Sequence, residues 1–402
     1  MMDTFANSRQ KTALTLGSLA FAISFAIWGL LSGLMPILKK DLHLTATEAS
    51  LLVALPVILG SLGRLPAGIM ADRFGGKRIF LAILILMLIP AVALGFAHDY
   101  STYMIVAAFL GIAGTSFSVG VTFVSRWFPP EKQGTALGVY GAGNIGQSIA
   151  VFGAPALASH LGISWAAWIF AAAALIYAAI FCRLAEDAQW HVNPKSFSQC
   201  MSVLLKQPMS WVLSLLYFQT FGGFVALALY MPMLLKELFD LTPADAGLRT
   251  AVFVLIATFG RPLGGWVSDR FNPDRILTVV LTGLIPCAFL MTSPDLGYFT
   301  VGALSAAALV GIGNGAVFKL VPSIFPKDVG TVTGLVGAAG GMGGFFPPLI
   351  LGYCKDHFGT YTFGFYCLAF FAATCLVVLY LTITRVRLNK QANNQIAIAN
   401  RS

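Results

Sequence analysis

Apolar residues run through this chain in long blocks, separated by short stretches that hold nearly all of its charge. A helix needs roughly 20 mostly apolar residues to cross a bilayer. About twelve blocks meet that length, at approximately 12–38, 49–71, 79–97, 102–124, 135–158, 163–185, 208–235, 247–268, 276–291, 298–321, 331–353 and 362–385. The ninth is the shortest and its ends are the least defined. Helices are the expected spanning form, because backbone facing lipid must satisfy its own hydrogen bonds. The first block is too long for a cleavable signal segment and no small-residue cleavage site follows it.

The blocks also repeat. "MPILKKDLHLTATEA" at 35–49 returns as "MPMLLKELFDLTPADA" at 231–246, and "GRLPAGIMADRFG" at 63–75 returns as "GRPLGGWVSDRFN" at 260–272, 197 positions later. "WFPPEKQGTALGVYGAGNIG" at 127–146 returns as "IFPKDVGTVTGLVGAAGGMG" at 324–343, at 196 or 197 with a one-residue slip. The expected fold class is therefore an all-α membrane protein of twelve transmembrane helices in two pseudo-symmetric six-helix halves. Residues 1–185 and 207–402 form the halves, and the polar stretch 186–206 is a cytoplasmic linker. Duplication of this kind puts a substrate site between the halves, near the bilayer midplane.

Composition agrees with a polytopic membrane protein: 57% of the 402 residues are hydrophobic, 10% are charged, and mean hydropathy is +0.81. Lys and Arg fall on alternate connections, at Arg9 and Lys11, Arg73, Lys77 and Arg78, Arg126 and Lys132, Lys195 and Lys206, then Arg385, Arg387, Lys390 and Arg401. The other connections are balanced or nearly uncharged, so both termini are expected in the cytoplasm. That asymmetry accounts for the net charge of +9 without any nucleic acid partner. The six cysteines have no paired spacing and read as packing thiols. No metal-ligand or nucleophile–base cluster supports an enzyme reading, and no cofactor is implied.

Two charges break the apolar pattern. Arg64 and Arg261 each lie eight residues before an Asp-Arg pair, Asp72–Arg73 and Asp269–Arg270. Eight residues correspond to about 12 Å of helix, near the middle of a ~30 Å core. All 16 acidic residues and all five histidines are peripheral, so no carboxylate is available at that depth. Capping of carbonyls is the bland account of an embedded arginine; a site for a mobile anion is the sharper one. The repeat sets the two guanidinium groups across one cavity, where their forks suit a small planar oxyanion. Lys319 is a third embedded cation, able either to snorkel or to line an exit path. Asn314 is a further candidate lining group.

The stretch "GVYGAGNIGQS" at 138–148 spells G-x-G-x-x-G, but a loop precedes it and no acid follows at 160–170, so a dinucleotide site is not supported. Its glycines are expected to let helices approach closely, with Gly143 and Asn144 also facing a substrate. "GIMADRFGGKR" resembles the loop 2–3 motif of the major facilitator superfamily. "GVYGAGNIGQS" and "GLVGAAGGMGGFFPP" resemble the two signatures of its nitrate/nitrite porter family, and "GNGAVFKLVPSIFP" and "LYFQTFGGF" are similar to that family too. The resemblance covers essentially the whole chain. It implies the major facilitator fold, a bacterial inner-membrane location and nitrate contact by Arg64 and Arg261. It also implies substrate-lining roles for Tyr217, Phe221 and Phe117. Phe21 and Phe25 match Tyr217 and Phe221 through the repeat, each pair on one helical face.

Rings above and below a flat anion would strip its water and strengthen the arginine contacts. The expected function is alternating-access transport of nitrate and nitrite by a monomer in the lipid bilayer, as nitrate uptake in exchange for nitrite. Proton-coupled nitrate symport is the alternative, and nitrate assimilation and respiration both remain open. Two facing cations disfavour reorientation of an empty carrier, which is the electrostatic basis for exchange. The loops bearing Asp72, Arg73, Asp269 and Arg270 are expected to latch the cytoplasmic side.

Overall fold

The computed structural model describes residues 8–188 and 197–399. Residues 189–196, which include Lys195 of the expected linker, and residues 400–402, with Arg401, lie outside that range. Among the described residues the chain is helical throughout, with no strand.

The first half contains α1 (Ser8–Asp41), α2 (Ala46–Phe74), α3 (Gly76–Leu86) running into α4 (Leu88–Leu94), and α5 (Tyr100–Gly114) running into α6 (Ser116–Ser125). It continues with α7 (Gln133–Gly141), a 3-10 turn (Ala142–Asn144), α8 (Ile145–Leu161) and α9 (Ile163–Leu184). A helix α10 (Phe197–Lys206) then lies in the connection that the sequence marks only as polar. The second half holds α11 (Pro208–Tyr217), a π-helical segment (Phe218–Gly222), α12 (Gly223–Phe239), α13 (Pro243–Arg270), α14 (Pro273–Leu290), α15 (Leu296–Ile324), α16 (Val329–Phe358) and α17 (Thr362–Ala399).

Eleven helical segments among the described residues are long and apolar enough to cross a membrane, three of them (Gly76–Leu94, Tyr100–Ser125 and Pro208–Pro232) with a local break in the helix. The twelfth expected span is Gln133–Leu161, which the 3-10 turn divides into pieces of nine and 17 residues. Bounds shift by a few residues from the sequence reading, the ninth span running from Pro273 to Leu290.

The short connections carry the acids because the acids cap helices. Thr45 and Glu48 form a reciprocal capping box at α2, Asp99 accepts from the Thr102 N–H at 3.0 Å at α5, and Asp295 accepts from Gly297 and Tyr298 at α15. Those bonds hold the Asp99 and Glu48 carboxyls below the usual carboxylate range, through Thr102 and Thr45 respectively.

The halves meet most closely through α2 against α16 and α7 against α13. Glycine makes both seams possible. A methyl on Gly68 would overlap the Gly330 carbonyl, and one on Gly265 would overlap that of Gly134. One turn further in, a methyl on Gly334 would sit 2.7 Å from the Arg64 carbonyl, and one on Gly138 equally close to the Arg261 carbonyl. With no hydrophobic force between helices in lipid, this backbone-to-backbone approach supplies the packing. The two seams repeat each other at the 196–197 spacing and end at the arginines.

Candidate functional site

Helices around the arginines depart from regular α geometry. The fourth span breaks between Gly114 and Ser116, the fifth passes through the 3-10 turn, and the seventh through the π segment. Such breaks release carbonyls and re-aim side chains, and π segments are frequent at functional sites.

Arg64 is 1% exposed and Arg261 3%. Arg64 Nε donates to the Gly114 carbonyl at 3.0 Å and Nη1 to that of Gly337 at 2.7 Å. Arg261 Nη1 donates to the Gly141 carbonyl at 3.0 Å and Nη2 to the Tyr217 hydroxyl at 2.9 Å. Gly141 and Gly337 are partners in the repeat, so each guanidinium reaches a carbonyl of the opposite half. Carbonyl capping, the bland account, is therefore present. It is also incomplete: two neutral acceptors engage a fork that carries five N–H donors. Neither arginine has a carboxylate partner among the described residues; the ion pairs Arg126–Asp72 and Lys319–Asp269 lie elsewhere.

Aromatic rings form the walls. Tyr217 and Phe221 stack in parallel within 1°, their centroids 4.9 Å apart. Phe117 lies nearly parallel to both, tilted by 7°, its centroid 6.2 Å from that of Tyr217 and 6.4 Å from that of Phe221. Both arginines border this slot: Arg64 Cζ lies 5.7 Å from the Phe117 centroid and 5.5 Å from that of Phe221, and Arg261 Cζ 5.9 and 5.0 Å from the same rings. Phe318 stands edge-on to Phe117 at 4.8 Å and to Tyr217 at 4.7 Å, closing one end of the slot. Tyr140 stacks on Phe117 at 6.0 Å and places its hydroxyl by the Ser116 and Phe117 carbonyls freed at the break. Neither Phe318 nor Tyr140 stands out in the sequence.

The other expected residues divide. Asn144 is 2% exposed, with neither amide atom hydrogen-bonded, and Asn314 is equally buried with an unbonded carbonyl oxygen. Gly143 instead packs on α1, where a methyl would lie 2.9 Å from the Ser18 carbonyl and against the Phe21 ring. Phe25 lies behind Phe21, at 4.3 Å, and it is Phe21 that reaches Phe117 at 5.3 Å. Lys319 stands apart from the slot, in an ion pair with Asp269 at 2.6 Å and a hydrogen bond to the Pro130 carbonyl.

That pair belongs to a double clasp on the basic-loop face. Asp72 accepts from the N–H groups of Gly330 at 3.0 Å and Thr331 at 2.7 Å, and from the Thr331 hydroxyl. Asp269 does the same with Gly134, Thr135 and the Thr135 hydroxyl, at 3.0, 2.6 and 2.7 Å. Each carboxylate thus sits at the N-terminus of a helix in the opposite half, where orphan N–H groups favour an anion. A cation of its own half holds each one: Arg126 at 3.2 Å on Asp72, Lys319 on Asp269. Burial pulls the Arg126 guanidinium below its ordinary value, against the opposing pull of Asp72 and Asp187. Arg73 and Arg270 instead lie over Phe74 and Trp266.

On the other side of the arginines, between the halves, lies a small cavity lined by Trp28, Ser32, Val53, Val57, Gln147 and Leu229.

Comparison with known proteins adds the following. Residues 17–323 match the model of the Major Facilitator Superfamily. The chain is 40% identical to the nitrite extrusion protein of Bacillus subtilis (strain 168) over 96% of this chain and 99% of that one. It is 37% identical to a probable nitrate transporter, NarT, of Staphylococcus epidermidis, over 94% and 96%. Among solved structures, the human organic anion transporter TETRAN superposes with a TM-score of 0.79 at 16% identity, covering 93% of this chain and all of that one. The transporter FucP in an outward conformation gives 0.75 at 17%, over 92% and 99%. At these identities the two structures share the fold alone.

Proposed function

The chain belongs to the major facilitator superfamily, and from that premise we propose that it carries nitrate and nitrite across the bacterial plasma membrane by alternating access, taking up nitrate in exchange for nitrite. The observation that carries this reading is a pair of arginines, 1% and 3% exposed, without a carboxylate partner among the described residues and both bordering a slot of parallel rings. A flat monovalent anion satisfies the free guanidinium donors and neutralises part of the buried charge. The ring faces exclude water, so the forks act in a low dielectric. Phosphate and sulfate are tetrahedral and more strongly hydrated, and they match a surround of parallel aromatic rings less well than a flat anion does. The unbonded amide of Asn144 supplies a neutral donor.

Exchange follows from the same electrostatics. A half-turn of the cycle carries both cations through a state closed to water on either side. That state is unfavourable when empty and eased when an anion sits between the forks. The Asp72 and Asp269 clasps hold one face shut and release when the halves rock. By the Lys/Arg distribution of the loops, that face is the cytoplasmic one, and both termini lie on its side. The halves are residues 1–185 and 207–402 with 186–206 between them, and the monomer is the working unit.

Calorimetry on detergent-purified protein tests the site. Arg64→Lys and Arg261→Lys keep the charge and lose the fork, and each should weaken nitrate binding at least tenfold, about 1.4 kcal/mol or more. Unaltered nitrate binding in both lysine variants would reject the two-fork site.

A further inference from the structure

Serine and threonine hydroxyls buried in a helix ordinarily donate to the carbonyl four residues earlier. This chain follows that habit: Thr250 bonds to Ala246, Thr220 to Leu216, Ser24 to Ala20 and Ser214 to Ser210. Ser61, on α2, bonds to Val57 at 2.6 Å. Its partner in the repeat is Thr258, on α13, which is 1% exposed and has no hydrogen-bond partner at its hydroxyl. At this repeat position one hydroxyl is satisfied by its own helix and the other, like those of Ser18, Ser268 and Thr333, is not.

Thr258 lies on the stripe of α13 that faces the fifth span. Gly265 and Pro262 of that stripe meet Gly134 and Gly138, and the Arg261 side chain meets Gly141. Thr258 is one turn further along that stripe, and α13 contacts the 3-10 turn Ala142–Asn144. Asn144 is the other buried side chain there whose polar atoms are all unbonded. A buried hydroxyl or amide left without a partner is destabilising. Thr258 precedes Arg261 by three residues on α13, and Asn144 follows by three residues the Gly141 whose carbonyl Arg261 engages.

We propose that Thr258 is a substrate contact, donating to the nitrate oxygen that the arginine forks leave free and so favouring nitrate over nitrite. The proposal rests on the nitrate/nitrite reading above. Nitrate is planar with three equivalent oxygens, and two guanidinium forks engage two of them. Nitrite has two oxygens and presents a nitrogen lone pair in place of the third. A donor poised for that third position therefore reads the chemical difference between the two anions, which the forks and rings do not.

The test measures nitrate and nitrite affinity by calorimetry on the intact purified transporter, with melting temperatures taken in the absence of either anion. Thr258→Val should weaken nitrate about tenfold and nitrite by less than about twofold, and Thr258→Ser should restore the wild-type ratio. Without anion, Thr258→Val should melt at or above the wild-type temperature, because an unsatisfied hydroxyl is removed. Equal loss for the two anions, no loss for either, or a lower melting temperature without anion overturns the proposal. If wild-type protein binds neither anion, the substrate reading falls and takes this assignment with it. If wild type binds nitrate and Thr258→Val matches it, the assignment to Thr258 alone falls.

Discussion

Arg64 and Arg261 were legible in the sequence because a charge inside an apolar block is rare and costly, and the lack of a nearby acid is a property of composition. Their neighbours were less so. With 32 phenylalanines in the chain, nothing in the pattern separates Phe318 from rings that face lipid, and Tyr140 reaches the slot only through the break at Gly114–Ser116. Lys319 was visible as an embedded cation, but its pairing with Asp269 depends on how α15 and α13 pack. Thr258 gave no signal, because its hydroxyl is conspicuous only once its helix declines to satisfy it. Tyr217 has a double role: its ring stacks on Phe221 and its hydroxyl accepts from Arg261 at 2.9 Å. Tyr217→Phe keeps the wall and leaves one guanidinium N–H without its acceptor. Nitrate KM should rise about three- to tenfold in proteoliposomes with melting temperature little changed. An unchanged KM would reduce Tyr217 to a packing residue.

At the scale of elements, the G-x-G-x-x-G spelling at 141–146 resolves into separate duties. Gly141 offers its carbonyl to Arg261, while Gly143 and Gly146 bring the fifth span onto α1. Gly134 and Gly138, upstream, let it touch α13. The repeat predicted both glycine-rich spans, and their close approach is what bare backbone in lipid is for. It did not show that Asp72 and Asp269 would cap helices of the opposite half, which needs Thr331 and Thr135 at those N-termini. Nor did it show that Arg73 and Arg270 would turn aside onto Phe74 and Trp266. The seams yield a test. Gly68→Ala and Gly265→Ala each force a methyl against a carbonyl of the other half, so they should favour the state open on the basic-loop face. Thr122 is fully buried there, its hydroxyl against Gly330. In a chain whose native cysteines are replaced by serine, Thr122→Cys should react with a maleimide several-fold faster when either alanine is present. An equal rate would mean that the seam absorbs the methyl and does not govern opening.

For the whole molecule, the twelve-span, two-fold plan was readable from block lengths and the 197-residue repeat, and the chain's place in the major facilitator superfamily agrees with it. The asymmetries were not readable: the π segment in the seventh span, the 3-10 turn in the fifth, and Lys319 on one clasp where Arg126 serves the other. Each arises where tertiary packing overrides a pattern that is nearly the same in both halves. In the proposed exchange the two buried cations set the cost of an empty turnover, and this makes the mode of transport the central question. Uptake of labelled nitrate into proteoliposomes addresses it most directly, measured with and without internal nitrite and with and without an inward proton gradient. Exchange predicts that internal nitrite accelerates uptake at least tenfold and that the gradient alone gives almost none. Uptake driven by the proton gradient into vesicles free of internal anion would contradict it.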